Sequence, residues 1–98
     1  MTIDKNIDGN KLVIAVAGRL DTNTAPELEA SYKESITGIE DLVIDLKDLE
    51  YISSAGLRVI LTMQKAMNKQ GKMVITNVSP TIMEIFDITG FADILTIE

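Results

Sequence analysis

The amino-acid sequence predicts one α/β domain over residues 1–98, a mixed and mostly parallel sheet of about five strands joined by helical crossovers in the order ββαβαβαβ. Three observations predict it. Short apolar runs bounded by turn residues recur along the whole chain. Between them lie stretches whose apolar residues repeat at helical spacing. The first two strand-like runs flank Asp8-Gly9, a turn dipeptide that tolerates positive φ, so a hairpin supplies one antiparallel edge. No internal repeat, linker or low-complexity segment divides the chain.

Taken in order, Ile3, Lys5 and Ile7 alternate with polar residues, as on a half-buried edge strand. Lys11 to Ala17 holds Leu12-Val13-Ile14-Ala15-Val16, a strand expected to be buried on both faces. Gly18-Arg19-Leu20-Asp21 ends the unit. Thr24-Ala25-Pro26-Glu27 has the form of a capping box, with the Thr24 hydroxyl accepting from the Glu27 N–H. Proline is tolerated in that first turn. Ala25, Leu28, Tyr32 and Ile36 share one face of the helix that follows, and Gly38 ends it.

Leu42-Val43-Ile44-Asp45-Leu46 reads as a buried strand, followed by a short loop. The central helix begins at Ser53 or Ser54 and runs to about Gln70, with Gly71 as the stop signal. Gly56, Val59, Ile60, Met63, Ala66 and Met67 share its apolar face, widened by Leu57 and Leu61. Arg58, Thr62, Lys65 and Lys69 line the opposite face. Met73-Val74-Ile75 is a further strand. Ser79 caps a third helix with Pro80 at its first position, and Gly90 ends it. Ile94-Leu95-Thr96-Ile97 reads as a closing strand.

Composition removes several function classes. There is no cysteine, so no disulfide, thiolate metal site or thiol catalysis is available. There is no histidine, which excludes a Ser-His-Asp triad and removes the commonest general base. Nine Lys+Arg against fifteen Asp+Glu give a net charge of −6, the wrong sign for a nucleic-acid footprint. Ser53-Ser54-Ala55-Gly56 is not a nucleophile elbow, and no Gly-x-x-x-x-Gly-Lys loop is present. An enzyme is therefore not expected, and neither is a cofactor or metal. Apolar runs too short to cross a bilayer and an N-terminus without a basic-then-apolar segment lead to the expectation of a cytoplasmic protein without membrane insertion.

The stretch from Asp45 to Ile60 carries the chemistry. A helix start has orphan N–H groups and a positive dipole end, so an anion there meets donors already in place. Two serines stand at that start. One cap needs one serine, and Ser53 can supply it; a second exposed hydroxyl, that of Ser54, is then free for modification.

Gly18-Arg19-Leu20-Asp21 with Thr24-Ala25, Asp45-Leu46, Tyr51-Ile52-Ser53-Ser54-Ala55-Gly56-Leu57 and Asn77-Val78-Ser79-Pro80 together resemble the STAS domain family over essentially the whole chain. More narrowly, the pattern is similar to the bacterial anti-sigma factor antagonists. The resemblance implies that the unphosphorylated protein binds an anti-sigma factor that is also a serine kinase, releasing the sigma factor. It implies phosphorylation on Ser54, which breaks the complex, and a serine phosphatase that resets it. It places Asp21 near the phosphoserine. The sporulation-type antagonists have an aspartate directly before that serine, where this chain has Ser53.

The expected partner-binding set is Asp21, Thr24, Ser53, Ser54, Gly56, Arg58 and Asn77. Bland readings stand beside it. Asp21 reads equally as a turn residue bonding its own backbone. Gly56 reads as a close-packing position between helix and strand. Arg58, Lys65 and Lys69 read as a solvated helix face, with Arg58 alone one turn from Ser54. A second functional expectation is a STAS subunit that does not switch, in an ABC lipid-transport or stressosome-like assembly.

Overall fold

A computed structural model describes residues 1–98. The strands are β1 (Thr2–Asp8), β2 (Lys11–Leu20), β3 (Asp41–Asp45), β4 (Leu49–Ile52) and β5 (Lys72–Thr76). The helices are α1 (Ala25–Ser35), α2 (Ser54–Gln70) and α3 (Pro80–Thr89), and a 3-10 turn follows at Phe91–Asp93. β1 and β2 form the antiparallel hairpin, with Asp8 opposite Lys11. From β2 the sheet continues in parallel to β3 and then β5, so its order is β1-β2-β3-β5.

The fifth strand is not the one the sequence suggests. β4 lies in the segment read as a loop, and it pairs in parallel with the far end of β2, from Gly18 to Leu20. That pairing is why β2 extends past Ala17 to Leu20. The expected closing strand at 94–97 shrinks to one parallel bridge between Ile97 and Ile75. Gly90, left-handed at φ 80°, stops α3, and after the 3-10 turn at Phe91–Asp93 the N–H groups of Ile94 and Leu95 donate back to the Phe91 carbonyl, which keeps them out of the strand.

β2 is covered on one face only, which corrects the expectation of burial on both. Leu12, Ile14 and Val16 are buried, while Val13, Ala15 and Ala17 between them are half-buried. The crossovers explain this. β2 to β3 and β3 to β5 step in the same direction across the sheet, and right-handed connections in one direction put their helices on one side. Leu42, Ile44, Met73 and Ile75 extend the covered face in register, and α1, α2 and α3 close over it. A single cluster of 23 buried residues results, including Leu28 and Tyr32 of α1, Ile60, Met63 and Met67 of α2, and Ile82 and Phe86 of α3. The α2 stripe also buries Gln64, whose amide donates to Asn68 at 2.9 Å. Gln70 closes the lower end by donating to the carbonyls of Ile36 and Ile39.

Candidate functional site

The start of α2 is built by β4. The Ser53 N–H donates to the Leu20 carbonyl at 2.9 Å, so the last residue of the β4 loop is anchored to the end of β2. Ser53 is extended, at φ −96° and ψ 176°, and its Oγ accepts from the Gly56 N–H at 3.4 Å. Ser53 is therefore the helix cap. Ser54 is the first helical residue, and its side chain is exposed. The first turn of α2 contains no carboxylate, so its positive end has no anion of its own.

Gly56 holds that turn against the strands. A Cβ there would lie 2.7 Å from Leu20 Cγ, 2.9 Å from Ile52 Cγ1 and 3.0 Å from the Leu20 carbonyl oxygen. The residue is buried, so its part in the site is close approach of the backbone.

Asp21 folds its own turn. Its Oδ1 accepts from the N–H of Asn23 at 3.0 Å and of Thr24 at 3.2 Å. Burial acts to raise its pKa, but the hydrogen bonds from Thr24 and Asn23, with Arg19 nearby, outweigh it and hold the carboxyl below its ordinary value. The capping box expected at Thr24 does not form. Thr24 is already helical at φ −101° and ψ −22°, a geometry in which the side chain cannot reach forward to the N–H groups of the first turn. Its hydroxyl instead accepts from the Asp21 N–H and donates to the Arg19 carbonyl, each at 2.8 Å.

Two residues join the site that the sequence reading did not select. Arg19 and Tyr51 are register partners across β2 and β4. The guanidinium lies 4.2 Å from the Tyr51 ring centre and 3.8 Å from Asp21 Oδ2. The signal was present as an arginine two before Asp21 and a tyrosine two before Ser53, but only the β2–β4 pairing brings the two together.

Arg58 is exposed on α2, one turn beyond Ser54. With Thr22, Pro26, Glu29 and Thr62 it borders a groove of about 210 Å³ between the starts of α1 and α2. Asn77 is left-handed at φ 57°, and its amide donates to Asp45 Oδ1 at 3.0 Å. It follows β5 at the same end of the parallel strands, beside the end of β3. No group of three or more acidic residues is arranged to hold a metal ion, and no helix is long and apolar enough to cross a membrane.

The STAS domain model matches residues 2–98. The chain belongs to the STAS domain family. This STAS domain is 38% identical to BtrV of Bordetella bronchiseptica over 99% of its length and 84% of the relative. It is 34% identical to the anti-sigma-B factor antagonist of Bacillus subtilis, covering 99% of this chain and 90% of that one. A solved anti-sigma factor antagonist from Mycobacterium paratuberculosis superposes with a TM-score of 0.88 at 24% identity, covering 98% and 83% of the two chains, and so shares the STAS fold.

Proposed function

We propose that this STAS domain is an anti-sigma factor antagonist whose binding is switched by phosphate on Ser54. Unphosphorylated, it binds an anti-sigma factor with serine kinase activity through the end of the sheet that carries Asp21, Ser53, Ser54 and Arg58. The kinase transfers the γ-phosphoryl group of ATP to Ser54 Oγ, the hydroxyl proton is lost, ADP leaves, and the complex separates. A serine phosphatase hydrolyses the ester and restores the binding form. The domain acts as a binding module in the cytoplasm.

The observation that carries this reading is the division of labour between two adjacent serines. Ser53 uses its hydroxyl on the cap, and the exposed Ser54 hydroxyl is left at the positive end of a helix that has no carboxylate in its first turn. A phosphate adds about −1.5 to −2 charges. The dipole and the orphan N–H groups of α2 accommodate that charge, so the fold persists while the surface changes. Asp21 at the same end of the sheet faces Arg19 at 3.8 Å, so the added phosphate is the charge that repels an acidic partner surface. The relatives named as anti-sigma factor antagonists support the partner class.

Calorimetry against the cognate anti-sigma kinase tests the switch. Ser54→Asp is expected to weaken binding about a hundredfold relative to the unmodified protein, the scale of an unfavourable charge placed in a desolvated contact. Equal affinities contradict the mechanism.

A further inference from the structure

α3 and the segment after its 3-10 turn expose isoleucines in a stretch whose charges are all of one sign. α3 reads Pro-Thr-Ile-Met-Glu-Ile-Phe-Asp-Ile-Thr, yet only Ile82 and Phe86 are buried in it. Ile88 is 78% exposed and Ile94, just past the 3-10 turn, is 52% exposed. These are two of the four large hydrophobic side chains exposed in the molecule. Glu84, Asp87, Asp93 and Glu98 lie among them in sequence, and no Lys or Arg occurs from Met73 to Glu98. The ion pairs of the protein join Lys5 to Glu34, Arg19 to Asp21 and Lys33 to Glu29, so none of these four carboxylates is neutralised.

The exposed isoleucines belong to the far half of α3 and the segment after it. β5 runs parallel to β2 and β3, so α3 starts at the sheet end that carries Ser54. Ile97 also pairs in parallel with β5, so the chain has travelled back before it arrives there. The ten residues of α3 are about 15 Å long. Ile88 is the ninth of the ten residues of α3, about 12 Å along the helix from its start, and Ile94 lies beyond the 3-10 turn, so both stand away from the N-terminal turn of α3 that begins at the Ser54 end.

We infer that the α3 and 3-10 surface is a second docking site, and that its occupant is a basic amphipathic protein segment presenting apolar side chains flanked by Lys or Arg. Charge complementarity selects it. A second copy of this surface would bring Glu84, Asp87 and Asp93 against their equals, and an anionic bilayer would meet the same carboxylates. The isoleucines supply the apolar area that such a segment buries, and the carboxylates fix which segments are accepted.

A helical peptide of leucine and lysine, with all its leucines on one face, is the probe. It is titrated into the isotope-labelled full chain while amide spectra are recorded. The expected result is shifts concentrated between residues 82 and 95 and an affinity that falls about tenfold or more in Ile88→Ser and in Ile94→Ser, since each removes a buried aliphatic contact. Both sites are exposed, and the amide spectrum of each variant reports whether it is folded. Ser54→Asp should leave peptide affinity unchanged within about twofold, which separates this surface from the proposed switch. Shifts spread over the whole acidic surface, or equal affinity in both serine variants, overturn the inference. Equal binding of the matching leucine–glutamate peptide also overturns it. So does a dimer, seen by sedimentation, that Ile88→Ser dissolves.

Discussion

The Ser53 amide donates to the Leu20 carbonyl at 2.9 Å, joining the start of α2 to the end of β2. Through this bond the Asp21 turn and the Ser53-Ser54 helix start become one end of one sheet, although about thirty residues separate them in the chain. Leu20 also lies under Gly56, so the same residue sets how closely the helix approaches.

The two serines should separate cleanly in stability. Ser53→Ala removes the cap and is expected to cost about 1 kcal/mol. Ser54→Ala removes an exposed hydroxyl and should stay within about 0.5 kcal/mol of wild type. Urea denaturation of the three proteins measures both. A larger loss at Ser54 would exchange the roles assigned to the two residues.

Gly56→Ala should destabilise the domain by about 1–3 kcal/mol, the range for forcing an extra methyl into a packed site. The new Cβ would sit within 3.0 Å of a backbone oxygen and two core side chains. Backbone atoms yield less than a flexible side chain end, so relaxation is limited. A midpoint unchanged in urea would mean that the helix start is looser than its geometry.

Asp21 predicts a pH effect with a definite sign. Partial burial opposes ionisation, but hydrogen bonds from Thr24 and Asn23, together with Arg19, lower its pKa in the folded protein. A carboxyl depressed by folding stabilises the native state above its unfolded value, about 4, and that stability is lost as pH falls through the folded value. Asp21→Asn should therefore lose stability at neutral pH and converge on wild type in acid. Parallel stability curves for the two proteins down to about pH 2 would contradict this.

Arg19 and Tyr51 should be coupled. The guanidinium lies 4.2 Å from the ring centre on an exposed surface, a geometry worth about 0.5–1 kcal/mol. A double-mutant cycle of Arg19→Ala and Tyr51→Ala measures the coupling by denaturation. Additive losses would show that the pair stacks without stabilising the β2–β4 joint.

Much of this was legible in the sequence because the signals are local. The Asp8-Gly9 hairpin, the Ser53 and Ser79 caps, Pro80 and the Gly71 and Gly90 stops each depend on a few neighbouring residues. What was hidden depends on partners far along the chain. β4 is four residues with no alternation, and it is a strand only because Gly18–Leu20 lies beside it. Thr24 has the capping-box pattern, but Asp21 already holds the turn, so its hydroxyl points back to Arg19. The half-buried outer face of β2 follows from the direction of two crossovers, which no apolar run encodes. Arg19 and Tyr51 were missed for the same reason as β4. The exposed Ser54 hydroxyl beside a capping Ser53 was legible because a helix start and its two serines are written within a few residues.

The central claim is that Ser54 is the phosphorylated residue. Its most direct test is an intact-mass spectrum of the protein after incubation with ATP, magnesium and lysate of its own organism, alongside Ser54→Ala and Ser53→Ala. The account predicts one added phosphate on wild type and on Ser53→Ala, and none on Ser54→Ala. A phosphate that persists in Ser54→Ala, or none on wild type in lysate that phosphorylates a control, would contradict it.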